Sequence, residues 1–360
     1  MLALKDFILE NLTDQEMKDY ILQAINNMDS SQLQKTYKDF INANFDVKDL
    51  ENYLKLRGVD DIWKQLYRIF KDNSDDMDLL IKIISGEVSN LPNTEKFLNS
   101  NNVFTLFGKS GLGFSDDLIK DLIEIRTPKN SIARGPFEVL CLCLMADIAP
   151  ENDAKKIGRK RSSDVNTTSK EGCLEFKGDD ARVKGMALRS PEFIDKKMVE
   201  LLTDKILTKD LKHIKNIFSK QANIENILNS IIVPVVYKDN DPTELQKILA
   251  YSIAAQFEDG AEKDIEGFIK YIWDDIFKNG KFDKKIFSKV FGVLDMHYYQ
   301  KSDEWDNMII FKNKASGIYT VINKSEVQDL NSLWRNNKIT FTGNPKPGSP
   351  LDYAVHIHAV

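Results

Sequence analysis

A change in hydrophobic period constrains the fold of this chain more than any other feature of its sequence. Apolar residues recur at helical spacing in residues 1–100 and again from residue 191 to about residue 300. From residue 162 to residue 188 the period falls to two, the spacing of β-strands, and residues 308–322 repeat that pattern. Helices and strands are therefore segregated along the chain, and we expect a fold of the α/β or α+β class.

Length and composition exclude several classes of protein. The 360 residues suit two domains better than one, and 42% hydrophobic and 29% charged residues are ordinary for a globular protein. Disordered, collagen-like and disulfide-scaffold proteins are thereby excluded. Three cysteines fit a reducing compartment. The longest apolar run, residues 139–146, is far shorter than the roughly 20 residues of a membrane span. Lys5 and Asp6 interrupt any signal peptide, so we expect a soluble cytoplasmic protein with no membrane partner.

The same patterns divide the chain into four segments. Residues 1–100 are expected to form a helical N-terminal domain, in which one helix covers residues 49–71. Residues 101–190 carry two further helices and the first strands. Residues 191–295 return to a helical pattern, and residues 296–360 hold the last strands and a tail.

Helices and strands outside the long helical segments can be placed more closely. Helices are expected at residues 115–126 and 136–148, and the second is apolar nearly all round, as a buried helix should be. Residues 231–237 fit either a strand or a buried helix, and the Gly- and Pro-rich tail 343–352 is expected to be a loop. Strands are expected at 163–168, 172–177, 181–188, 308–311, 317–322 and 339–342.

Charged and apolar residues alternate on the second of these strands. On the predicted strand 172–177, Glu175 and Lys177 share one face. Asp164 starts the preceding strand, so pairing of the two strands brings the carboxylates of Asp164 and Glu175 together. Paired carboxylates can hold Mg²⁺, which polarises a phosphoryl oxygen and lowers the pKa of a bound water. Lys177 would position that water or balance negative charge. The alternative is a surface ion-pair ladder across two strands.

Glu138 adds a third acid to this group. It falls in the first turn of the predicted 136–148 helix and is nearly the only charge there. From that position it can reach the same metal ion. The alternative is that it is an acid favoured by the positive end of the helix dipole.

Basic residues are concentrated beside these acids. Residues 155–189 contain ten basic and five acidic residues, although the whole chain has a net charge of −5. Residues 1–100, with 12 basic and 18 acidic residues, favour protein partners instead. A basic loop beside a metal centre suits a polyanionic substrate, and a solvated loop is the alternative. The candidate nucleic-acid-binding residues are Lys155, Lys156, Arg159, Lys160, Arg161, Arg182 and Lys184.

Taken together, these residues resemble the PD-(D/E)XK nuclease superfamily. Glu138 lies on the leading helix, and Asp164 matches the first motif acid. Glu175 and Lys177 match the E-x-K, while Ser163 stands where the Pro of the motif would be. Residues 134–190 carry most of this resemblance.

The chain also resembles, more loosely, nuclease-like proteins of tailed phages. In those proteins a Gly-x-Gly-Glu-like helix start precedes a strand pair that ends in Glu-x-Lys-Gly and then an Arg. The corresponding stretches are residues 134–138 and 175–182, with Pro136 and Phe137 where a second Gly would stand.

The resemblance implies both a fold and an activity. The fold would be restriction-endonuclease-like, a mixed central sheet flanked by helices, with a core built from residues 101–190 and 296–360. Residues 191–295 would be a helical insertion, which the resemblance does not explain. The activity would be phosphodiester hydrolysis by an endonuclease, most naturally on DNA. Its cofactor would be Mg²⁺, or Mn²⁺ in its place.

The resemblance also implies roles for the site residues and leaves two alternatives open. Glu138, Asp164 and Glu175 would be the metal ligands, and Lys177 would assist the attacking water. The first alternative is a non-catalytic DNA-binding or structural component of a phage particle that retains the nuclease fold. The second is a restriction enzyme, which would cleave one short sequence as a dimer. The protein would act in the cytoplasm of a bacterium or an infected host cell, or be associated with the virion.

Overall fold

A computed structural model describes most of the chain after residue 46. The described residues are 23, 29–32, 47–72, 74–125, 134–135, 137–149, 164–178, 180–182, 225, 228–237, 241–254, 257, 261–303, 305–346 and 349–360. Within them, no helix is both long and apolar enough to cross a membrane.

Helices occupy the N-terminal and middle parts of the described chain. Two short segments depart from α-helical geometry, a 3₁₀ turn at Asp60–Ile62 and a π-helical turn at Leu228–Ile232. The α-helices are α1 (Val47–Leu56), α2 (Trp63–Lys71), α3 (Ser74–Ile84), α4 (Thr94–Leu98), α5 (Val103–Phe107), α6 (Asp116–Glu124), α7 (Glu138–Leu144), α8 (Val233–Val236), α9 (Thr243–Ala254), α10 (Glu262–Tyr271), α11 (Trp273–Ile276), α12 (Lys284–Asp303), α13 (Lys324–Gln328) and α14 (Leu330–Arg335).

Among the described residues, strands lie where the period-two patterns predict them, with two additions; residue 163 and residues 183–188 of the predicted strands lie outside the described residues. The additional strands are a short hairpin within the helical middle segment and a long C-terminal strand. The strands are β1 (Val165–Asn166), β2 (Cys173–Lys177), β3 (Ala181–Arg182), β4 (Phe277–Lys278), β5 (Lys281–Phe282), β6 (Asn307–Asn313), β7 (Ile318–Asn323), β8 (Ile339–Lys346) and β9 (Ser349–Ala359). The chain is therefore a mixture of helices and small sheets, as an α+β fold requires.

The central sheet has four strands in the order β1-β2-β6-β7. Strands β1 and β2 pair antiparallel, as do β6 and β7, whereas β2 and β6 are parallel. The parallel pair joins two segments that are more than one hundred residues apart in sequence. A parallel pair needs a crossover connection, and this one includes the helices α8 to α12. The sheet is mixed, as predicted.

The two faces of the central sheet pack against different hydrophobic cores. Strand β6 shows this best, because its side chains alternate between the faces. Ile309 and Phe311 join a core with helices from the N-terminal part of the chain. Met308 and Ile310 join a second core with helices α9 to α14. All four side chains are fully buried. The sheet that contains β6 thus lies between two layers of helices.

The predicted helix over residues 49–71 is wrong in one respect, because the structure divides it. Helix α1 ends in a Schellman motif, in which Val59 N–H donates to the Leu54 carbonyl at 3.0 Å and Gly58 N–H to the Lys55 carbonyl at 3.2 Å. Gly58 has a φ of 70°, which favours glycine. The 3₁₀ turn follows before α2 begins at Trp63.

The prediction of a loop over residues 343–352 is also wrong. Strands β8 and β9 pair antiparallel across this region, and β3 pairs with the other side of β9. Pro345 lies on β8, which is an edge strand of this sheet, and edge strands are where Pro is tolerated within sheets. A register shift follows directly, between Pro345 and Lys346.

Three further elements differ in detail from the predictions. The ambiguous segment 231–237 is helical. The hairpin of β4 and β5 interrupts the helical pattern, and Asn279 and Gly280 at its turn both have positive φ, as a type I′ turn requires. Helix α7 is shorter than predicted, because Phe137 adopts a left-handed conformation before it and Met145 is extended after it.

Candidate functional site

The pairing of β1 with β2 sets the position of Asp164. In the register of the two strands, Val165 lies opposite Leu174, so Asp164 comes beside Glu175. The Asp164 Oδ2 atom accepts a hydrogen bond of 2.7 Å from the backbone N–H of Phe176. The predicted neighbourhood of these two acids is confirmed.

Glu175 is buried, and among the described residues only one of its two carboxylate oxygens has hydrogen-bond partners. Its side chain is 2% exposed. The Oε1 atom forms an ion pair with Lys177 Nζ and accepts a hydrogen bond of 2.5 Å from the Tyr299 hydroxyl. The Oε2 atom is buried and has no hydrogen-bond partner among the described residues. A buried carboxylate oxygen without a partner is costly, so this atom is the candidate position for a cation.

Lys177 and Tyr299 complete this group. The Lys177 ammonium lies 5.1 Å from the centroid of the Tyr299 ring and 3.5 Å from its hydroxyl oxygen. Glu175 and Lys177 point toward α12 because Leu174 and Phe176 occupy the opposite face of β2. Sequence reasoning missed Tyr299, because the contact joins residues 124 positions apart and no local pattern on α12 marks it.

Glu138 is the first residue of α7 and is 7% exposed. Its Oε1 atom accepts a hydrogen bond from the backbone N–H of Gly135. Burial, together with the negative charges of Asp164 and Glu175, raises the pKa of Glu138 to about 8, against the opposing effects of Gly135 and Lys177. The structure therefore places all four predicted site residues within electrostatic reach of one another.

The backbone before α7 is strained where it presents Glu138. Phe137 has a φ of 72°, although it is neither Gly nor Asn, and its ring stacks on that of Phe311. Strain of this kind costs about 1–3 kcal/mol and persists only where the surrounding packing enforces it. The stacked ring supplies that packing.

The chemistry of these donors suits a hard divalent cation, but the residues do not form a preformed metal site. Carboxylate oxygens are the ligands that Mg²⁺ prefers, and Glu175 Oε2 is one that has no hydrogen-bond partner among the described residues. In the part of the chain that the structure describes, however, no group of three or more His, Cys, Asp or Glu side chains is arranged to hold a metal ion. The carboxylates of Asp164 and Glu138 each accept a hydrogen bond from a backbone N–H group instead.

Of the predicted nucleic-acid-binding residues, the structure describes only Arg182. It is exposed on β3, opposite His356 on β9. The others, Lys155, Lys156, Arg159, Lys160, Arg161 and Lys184, lie outside the described residues. Arg182 follows Lys177 by five positions, on the strand that comes after β2 in the sequence.

Comparison with family models, with curated proteins and with solved structures finds no match to this chain. Its function is therefore inferred from the site itself. That site combines a buried Glu–Lys–Tyr group, a carboxylate beside it on the neighbouring strand, and a strongly perturbed glutamate at a helix start.

Proposed function

We propose that this protein is a metal-dependent nuclease that hydrolyses phosphodiester bonds in DNA. The observation that carries the proposal is the buried carboxylate of Glu175, which pairs with Lys177 through one oxygen and has no hydrogen-bond partner among the described residues for the other. Buried titratable groups with perturbed pKa values are typical of active sites. The mixed sheet, with helices on both faces, supports a restriction-endonuclease-like core.

Each acid has a distinct part in this proposal. Glu175 Oε2, Asp164 and Glu138 are the oxygens that would hold Mg²⁺, or Mn²⁺ in its place. When bound, the ion would polarise a phosphoryl oxygen and lower the pKa of a bound water. Glu138 would release its proton on binding, because a nearby cation favours the charged carboxylate.

Lys177 and Tyr299 act on the other side of Glu175. The Lys177 ammonium neutralises Glu175 and is available to balance the charge that develops on the phosphoryl group. Tyr299 is a positioning residue, because its hydroxyl fixes Oε1 and thereby the direction of Oε2. Arg182 and the basic residues near 155–161 would contact the phosphate backbone.

The test compares three variants with the unaltered protein. Glu175→Gln preserves shape and removes the charge, and Lys177→Met removes the ammonium. Lys338→Met is the control, since Lys338 pairs with Glu326 at 2.8 Å on the exposed surface. Cleavage of duplex DNA, single-stranded DNA and RNA is followed with Mg²⁺ and with Mn²⁺. Each site variant should lose cleavage by about 10²–10³-fold, the range for loss of one transition-state contact, while Lys338→Met should retain it. Cleavage by Glu175→Gln at the unaltered rate would refute the proposal.

A second function is favoured by one observation. The four site residues are not arranged as a metal site among the described residues, and Glu175 is already neutralised by Lys177. These features suit a DNA-binding or structural protein, for example of a phage particle, that retains the fold without catalysis. DNA binding in a gel-shift assay, with no cleavage in Mg²⁺ or Mn²⁺, would favour this function over the first.

A further inference from the structure

Helix α7, which begins at the candidate site, is held at its C-terminal end by side chains near the end of α1. Arg57 Nη1 donates hydrogen bonds of 3.0 Å and 2.6 Å to the carbonyls of Leu142 and Met145. The Tyr53 hydroxyl donates one of 2.7 Å to the carbonyl of Cys143. The last carbonyls of a helix have no partner within the helix, and here side chains supply it. These contacts fix one end of α7 against the N-terminal helices.

A second arginine ties the chain before α7 to the same region. The Arg134 side chain is 5% exposed, and its Nη1 atom lies 2.9 Å from the Asp61 carboxylate. Its Nη2 atom donates to the carbonyl of Gly58, in the Schellman motif that ends α1. A guanidinium donates its hydrogen bonds in a fixed planar geometry, so two partners define its position. The backbone at Arg134 is therefore anchored on the turn after α1.

Gly135 connects this anchor to the carboxylate of Glu138. The Gly135 N–H donates to Glu138 Oε1. A Cβ at position 135 would overlap the same oxygen, so a larger residue there would displace the carboxylate. Phe137 stacks on Phe311 of β6. The chain before Glu138 is thus fixed at Arg134 and at Phe137, and the Gly135 N–H lies between these two points.

We propose that Arg134 is a positioning residue for Glu138. By fixing the Gly135 N–H on the turn after α1, it sets the direction in which the Glu138 carboxylate points. The inference rests on the proposed function, in which Glu138 is a metal ligand. Groups that orient a metal ligand need not contact the ion, and their loss typically lowers metal affinity or activity by about 10–100-fold. The turn after α1 then contributes to the site, although the charge of residues 1–100 favours protein partners.

The first measurement reports on the Gly135 N–H and needs neither metal nor DNA. Labelling with ¹⁵N-glycine gives one amide signal for each of the 17 glycines, and Gly135→Ala identifies the Gly135 signal by its absence. In Arg134→Met this signal should shift, and its hydrogen exchange should become at least tenfold faster. Arg57→Met is the matched control, because it loosens the opposite end of the same helix. It should lower the melting temperature but leave the Gly135 signal unchanged.

The second measurement is the affinity of the full chain for Mn²⁺, followed by the EPR signal of the free ion. Arg134→Met should weaken Mn²⁺ binding about tenfold or more. Asp61→Asn should act in the same direction to a smaller extent, since the Gly58 carbonyl still holds the guanidinium. Arg57→Met should leave the affinity unchanged, whereas a merely structural role of Arg134 would make the two arginine variants alike.

Three outcomes would overturn the proposal. These are an unchanged Gly135 signal in Arg134→Met, a shifted signal with unaltered Mn²⁺ affinity, and equal effects of Arg57→Met on both measurements. Asp61→Asn keeps the test valid if Arg134→Met fails to fold, because the Asp61 side chain is partly exposed. If the unaltered protein neither binds Mn²⁺ nor cleaves DNA, the proposed function fails, and the Gly135 signal still decides whether Arg134 holds Glu138 in place.

Discussion

At the residue scale, the carboxyl group of Glu138 links stability to pH. Its ordinary pKa is 4.5 and its pKa in the folded protein is about 8. Between these values the folded state binds a proton that the unfolded state has released, so stability falls as pH rises through this window. The group is buried, and one pKa unit corresponds to about 1.36 kcal/mol. The effect of Glu138 on stability should therefore reach a few kcal/mol above pH 8.

Glu138→Gln tests this linkage, because Gln keeps the shape and the acceptor for Gly135 without ionising. Near pH 4.5 the free energy of unfolding, measured in urea, should be similar for the variant and the unaltered protein. At pH 8.5 the variant should be more stable by a few kcal/mol. A difference that stays constant across this range would show that Glu138 does not titrate with a raised pKa.

Tyr299→Phe tests whether the Tyr299 hydroxyl positions the Glu175 carboxylate or only stabilises the fold. The change removes the hydroxyl that donates to Glu175 Oε1 and leaves the ring beside Lys177. We expect a loss of about 1 kcal/mol in stability, cleavage reduced about tenfold, and a higher Mg²⁺ concentration for half-maximal rate. The Mg²⁺ dependence is the decisive measurement, since a purely structural role would leave it unchanged.

Tyr298→Phe is the matched control on the same helix. The Tyr298 hydroxyl is buried and has no hydrogen-bond partner among the described residues, so its loss removes a desolvation penalty. This variant should be at least as stable as the unaltered protein and should cleave at the same rate. Equal effects of the two variants would contradict the role given to Tyr299.

At the element scale, Gly58 ends α1 in a conformation that other residues adopt with strain. A Cβ at this position would meet no atom of the described residues within 4 Å, so we attribute the cost of Gly58→Ala to its φ of 70°. We expect a loss of about 1 kcal/mol in the free energy of unfolding. Gly267→Ala is the control, because Gly267 lies inside α10 and has an ordinary φ, and a new Cβ there would also meet no atom of the part of the chain that the structure describes within 4 Å. It should stabilise by about 0.5–1 kcal/mol. Urea denaturation of both variants measures the contrast, and a stabilising Gly58→Ala would contradict it.

The elements also show what the sequence can and cannot predict. Strand alternation correctly places Glu175 and Lys177 on one face and Asp164 beside them, because period and pairing are local properties. The end of α1 at Gly58 was missed because the apolar pattern continues beyond it and only a backbone motif marks the break. Tyr299 was beyond prediction, since its contact depends on the parallel pairing of β2 with β6 across the helical middle of the chain. The metal site itself stays a prediction.

At the scale of the whole molecule, β6 makes the two hydrophobic cores dependent on each other. Ile309 packs into the core of the N-terminal helices, and Ile310 into the core that contains α9 and α12. Both side chains are fully buried. An Ile→Ala change in a core costs about 2–5 kcal/mol. Consecutive residues of β6 supply both cores. A cavity in either core should therefore destabilise β6 and, through it, the helices on the opposite face of the sheet.

Hydrogen exchange of Ile309→Ala and Ile310→Ala tests this coupling. Amide protection is compared in α6, which lies in the first core, and in α9, which lies in the second. If the two cores unfold together, each variant should lower protection in both helices by a similar free energy. If each core unfolds by itself, Ile309→Ala should affect α6 alone and Ile310→Ala should affect α9 alone. The coupled result also bears on the candidate site, since Glu175 and Lys177 pair directly with Met308 and Ile310 of β6. Their geometry then depends on both cores, so either substitution should disturb the site even though neither side chain contacts substrate.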